Sequence, residues 1–161
     1  MMGAPEDPRT RLFWAAVRGR TLEEMLQFAS TGGGAREEEL RDSLAQSLEQ
    51  LPATGENLDA LLSRLLASHG IDWVEFAAFI LLGRLGEEDA APLIRFERSF
   101  SSCLPADSYI WPVFRTIQCN IAIKGGIPAQ AELFLGQADS ALAAVTIPGL
   151  QELCRPLRVA N

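Results

Sequence analysis

One histidine, three cysteines, two acidic runs and a glycine triplet are the residues of this chain whose types could do chemistry. A thiol nucleophile among Cys103, Cys119 and Cys154 needs an imidazole base beside it, and no motif sets His69 next to any of them. His69 instead precedes Gly70 at an expected helix end, where the free carbonyls and the dipole favour a histidine. Zinc binding needs ligands in closely spaced pairs, and one histidine with scattered cysteines does not match. The acids Glu37, Glu38, Glu39 and Asp42, and then Glu87, Glu88 and Asp89, would have to converge from separate helices to hydrolyse a glycoside or hold a divalent cation. In first turns they serve the helix dipole instead. Gly32, Gly33 and Gly34 follow an apolar stripe and lack the lysine and serine of a phosphate loop, so they connect elements. The expectation is therefore a protein that is not an enzyme, with no catalytic, cofactor-binding or metal-binding residue.

Composition narrows the partners. The chain has 161 residues and a net charge of −7. That balance opposes nucleic-acid binding, which needs a basic face to displace counterions, and suits either plain solubility or a basic partner protein. The cysteine count is odd and no Cys-x-x-Cys pair occurs, so a disulfide framework is not expected and a reducing compartment is. The opening MMGAPEDPRTR has no basic region followed by an apolar run, so no signal peptide is expected. The longest apolar run, 76–82, is far too short to cross a bilayer. Together these point to a cytoplasmic, membrane-free protein.

The elements that would position a site are all helical. Asp7 and Pro8 open a first helix, with proline at its first position. Thr21-Leu22-Glu23-Glu24 is a capping box that starts a second. Leucine stripes mark helices over about 36–50 and 57–68, the first stopped by Pro52 and the second by Gly70. Further helices follow over about 72–85, 89–100, 108–123 and 128–136. The remainder, 137–161, reads as one or two short helices broken at Pro148 and Gly149. No segment alternates as a strand would, so the fold class is all-α.

The pattern also recurs. Leu40, Leu44, Leu48 and Leu51 fall on Val74, Ala78, Leu82 and Leu85 when the sequence is shifted against itself. At a second shift, Val74, Ala78, Leu82 and Gly86 fall on Val113, Ile117, Ile121 and Gly125. A lone hairpin cannot bury its apolar face, whereas stacked hairpins form a continuous core. The segment VEFAAFILLGRLGEEDAAPLI resembles a HEAT-like repeat of the short bacterial type. Leu85 and Gly86 close its first helix, Glu87 to Asp89 form the acidic turn, and Pro92 opens its second helix.

The resemblance implies an α-α superhelix of stacked antiparallel hairpins in a single domain, 1–161. Residues 1–35 would form an atypical N-terminal hairpin, 36–136 three repeat-like hairpins, and 137–161 a C-terminal cap. It implies protein binding, although some proteins with this repeat are lyases acting on tetrapyrrole chromophores. It also implies that second helices line a concave side, which puts Asp59, Glu97 and Glu132 there, with Glu56 and Glu87, Glu88 and Asp89 on the turns. Trp73, off its helix's apolar stripe, is the expected aromatic anchor. These eight residues form the expected docking surface for a basic partner. The most concrete form is an immunity-type inhibitor of a basic toxin or enzyme. The alternatives are an adaptor or chaperone for a secreted protein, or an enzyme such as a chromophore lyase.

Overall fold

Capping chemistry places the first boundaries where the sequence asks for them. In a computed structural model of the chain, the Thr21 hydroxyl accepts from the Glu24 amide at 3.1 Å, and the Glu24 carboxylate accepts from the Arg20 amide at 3.0 Å. Two amides at the start of a helix, which has no carbonyls to offer them, are thereby satisfied. The structure describes residues 8–30, 34–49, 55–85, 90–145, 147 and 149–154.

Among the described residues all regular structure is helical: α1 (Pro8–Arg18), α2 (Leu22–Ser30), α3 (Gly34–Glu49), α4 (Gly55–His69), α5 (Ile71–Leu85), α6 (Ala90–Phe100), α7 (Ile110–Lys124), α8 (Pro128–Ala143) and α9 (Leu150–Leu153). Helices adjacent in sequence pack on one another, α1 on α2, α2 on α3, α3 on α4, α6 on α7 and α7 on α8. The all-α hairpin arrangement expected from the sequence is what the chain adopts.

The chain divides into two compact units, residues 1–81 and 82–161, and the division falls inside α5. The hairpin limits expected at 35/36 and 136/137 do not coincide with it. In the first unit, Leu12, Phe13 and Ala16 of α1 are buried, as are Leu26 and Ala29 of α2 and Leu44 and Leu48 of α3. The Phe13 ring stands edge-on to Phe79 of α5 at 5.7 Å. Residues 73–78 and 80–82 are all buried, which is why this helix reads as an unbroken apolar run rather than a stripe. The run contains one acid. Glu75 is 2% exposed, and Arg9 of α1 meets it as a fork, Nε to Oε1 at 3.2 Å and Nη2 to Oε2 at 3.3 Å. A carboxylate taken from water needs such a charge-matched partner.

The second unit is centred on α7. Its C-terminus closes in a Schellman motif: the Ile127 amide donates to the Ala122 carbonyl at 2.9 Å, and the Gly126 amide to the Ile123 carbonyl at 3.1 Å. Gly126 has φ of 69°, a left-handed conformation that glycine adopts without cost. The turn folds α8 back along α7. Cys119 and Ala122 pack against Ala131, with Ile123 and Phe134 at their edge.

Two expectations need correction here. Helix α8 does not stop at Gly136 but continues to Ala143. A helical glycine costs only about 1 kcal/mol, and buried Ala131 and Ala138 on either side of it hold the helix to the core. The stripe Val113, Ile117 and Ile121 is not the buried face of α7. These three are half-buried, while Ile110, Phe114, Cys119 and Ala122 are buried. Helix α7 packs on both α6 and α8, so its burial wraps around the axis and its register differs from that of α5.

Candidate binding groove

An open groove of about 880 Å³ lies within the second unit. Glu97 and Ser101 contribute from the end of α6 and beyond it, and Leu104 and Ala106 from the connection to α7. Trp111 and Arg115 come from α7, and Glu132, Leu133, Gly136, Gln137, Ser140 and Ala141 from α8. On α8 these positions recur every three or four residues on a flank away from buried Ala131 and Ala138. Gly136 opens the wall, since a Cβ built there meets nothing within 4 Å. Leu133 beside it is 57% exposed.

Two side chains of the groove, Arg115 and Trp111, are held by polar contacts. Arg115 donates Nη2 to Glu97 at 2.6 Å and Nη1 to Gln118 Oε1 at 2.7 Å. Its guanidinium carbon also lies 5.2 Å from the centroid of the Phe114 ring. The Trp111 indole N–H donates to the Pro105 carbonyl at 2.9 Å, and its ring meets Phe114 edge-on at 5.8 Å. Glu132 is exposed and, among the described residues, has no cationic partner.

Of the eight residues expected to bind a partner, Glu97 and Glu132 are brought together in this groove. Trp73 is not at a surface and is corrected to a core residue. It is 4% exposed, with its ring edge-on to Phe76 at 5.6 Å and 6.3 Å from His69. Its place off the leucine stripe means little on a helix buried nearly all round. Glu56 and Asp59 lie on the first turns of α4, and their side chains fall outside the described residues, as do Glu87, Glu88 and Asp89 entirely. Arg115 and Leu133 carry no expectation from the sequence, Trp111 reads there as a packing residue, and Gly136 only as the end of a helix. The available signal was in α8, where Leu133 and Leu135 exceed what one buried face requires.

The residues first weighed for chemistry are occupied otherwise. The His69 ring contacts the Leu40 carbonyl through Nε2 at 3.1 Å and the Ser68 hydroxyl through Nδ1 at 2.7 Å. Burial, with the charge of Asp139 adding, raises the Cys119 pKa, and burial pushes that of Cys154 to about 11. Neither is a thiolate at neutral pH. Among the described residues no three His, Cys, Asp or Glu side chains are grouped to hold a metal ion, and no helix is long and apolar enough to cross a membrane.

Compared with protein-family models, curated proteins and solved structures, the chain matches none of them.

Proposed function

We propose that this chain is a non-enzymatic protein-binding module and that the groove of its second unit receives a segment of the partner. The observation that carries this reading is the α8 wall, where Leu133 stands 57% exposed next to the gap at Gly136. A leucine left largely in water beside a concave apolar wall fits a surface completed by another molecule. The groove is open rather than enclosed, and a small-molecule site buries most of its ligand, so an extended or helical peptide suits it better.

The chain as a whole is acidic, with most of the excess outside the unit that carries the groove. Residues 1–81 hold thirteen carboxylates against seven arginines, while residues 82–161 hold eight against seven cations. Complementary charge of this kind raises association rate and fixes orientation. An inhibitor that covers a basic toxin or enzyme in the cytoplasm is the concrete form of the reading, and three free cysteines suit that compartment.

Selection of short random peptides displayed on phage against the folded chain tests it. Peptides should enrich, compete with one another, and lose binding to a Leu133→Asp variant that keeps the parent circular dichroism spectrum and melting temperature. If nothing enriches, or if every enriched peptide binds the variant as well as the parent, the groove is not the docking site.

A further inference from the structure

The groove has one uncompensated charge, and it is negative. Arg115 is engaged by Glu97, by Gln118 and by the Phe114 ring, so an incoming anion would first have to displace Glu97 at 2.6 Å. Glu132 is exposed, and no cation among the described residues pairs with it. Trp111 adds a second preference. Its only donor is given to the Pro105 carbonyl at 2.9 Å, which fixes the ring and leaves its π surface as what it can offer. An indole face attracts cations through its quadrupole. Leu133, on the same helix as Glu132, supplies apolar surface of the kind that covers the alkyl stem of a long basic side chain.

From this we infer that the partner segment enters the groove with an arginine or lysine, its charge taken by Glu132 and the Trp111 ring and its stem lying along Leu133. The inference rests on the groove being the docking site, and names what that site selects. Neutral or acidic segments leave Glu132 unpaired and make no cation–π contact with the indole face. A basic apolar segment satisfies both.

The peptides selected on the parent chain provide the test. They should share one arginine or lysine beside an apolar residue. Replacing that cation by glutamine should weaken binding roughly three- to tenfold, since an exposed ion pair and an exposed cation–π contact are each modest. Glu132→Gln in the chain should weaken the original peptide by a similar factor, and should have little further effect on the glutamine peptide. Trp111→Leu, checked for retained helicity, should act in the same direction. Enriched peptides without excess basic residues, or unchanged affinity for Glu132→Gln, would overturn the cation preference while leaving the groove as a docking site if Leu133→Asp still abolishes binding. Peptides indifferent to Leu133→Asp would remove both readings.

Discussion

His69 engages both ring nitrogens, and this sets how the protein should respond to acid. With the neutral ring, Nε2–H donates to the Leu40 carbonyl and Nδ1 accepts the Ser68 hydroxyl proton. With the charged ring, Nδ1–H donates to that hydroxyl, which turns to the Arg64 carbonyl 2.8 Å away. Burial holds the pKa below the ordinary 6.5, the Leu40 carbonyl opposes this, and the Arg36 charge adds to it. The unfolded chain therefore takes up the proton first. Stability should be full above about pH 6.5 and fall as pH drops from there through the lowered folded value. His69 is the only histidine of the chain, so urea melts between about pH 5.5 and 7.5 should show a slope that His69→Gln removes. The sequence expectation of a structural histidine at a helix end agrees with this geometry, but its carbonyl partner lies on α3, which local pattern does not reveal. Glu75 was less legible still, since nothing nearby in sequence shows that Arg9 reaches it. Solvent reaches Arg9, at 23% exposed, but not Glu75. Arg9→Ala should thus cost more, about 3 kcal/mol, than Glu75→Gln, which leaves its charge where water can help. Denaturant midpoints of the two variants giving the opposite order would refute this.

Elements were easier to read than the faces they bury. Helix boundaries follow from caps and breakers within a few positions of each other, so Thr21, Gly70 and the Gly125–Gly126 pair were sufficient. Which side of α7 is buried depends on what packs against it from elsewhere, and a shift of the sequence against itself could not supply that. The difference is measurable. Leu82 is 2% exposed and Leu82→Ala should cost about 2–5 kcal/mol. Half-buried Ile121, its counterpart in the shifted alignment, should cost clearly less on the same denaturant melts. Glycines within and beside helices provide a second contrast. Gly83 is exposed in α5 and a Cβ there meets nothing, so Gly83→Ala should stabilise by about 0.5–1 kcal/mol. At Gly19, between α1 and α2, a Cβ would lie 2.5 Å from Met25 Cγ and 2.7 Å from its amide nitrogen. Gly19→Ala should therefore destabilise, because backbone has to move. Thermal melts of the two variants should shift in opposite directions.

For the molecule as a whole, the net charge of −7 is unevenly spread, with nearly all of it in residues 1–81. The outer face of α3 presents Glu38, Glu39, Asp42 and Glu49 to solvent. Like charges at this density oppose compaction, and salt screens them. Raising ionic strength from about 10 mM to about 150 mM should therefore slow amide hydrogen exchange in α2 and α3 more than in α7 and α8. Equal protection gains in both sets would show that the asymmetry carries no energetic weight. The Arg9–Glu75 pair has a different consequence, for how the chain is made. Its members are 66 positions apart, and Phe13 likewise meets a ring on α5. During synthesis, α1 emerges well before the α5 residues it meets, whereas α7 and α8 meet across Gly125–Ile127 as soon as both exist. A nascent chain that ends before residue 85 therefore carries an α1 whose Arg9 and Phe13 still lack their α5 partners, and it should bind chaperones more than one that has passed that point.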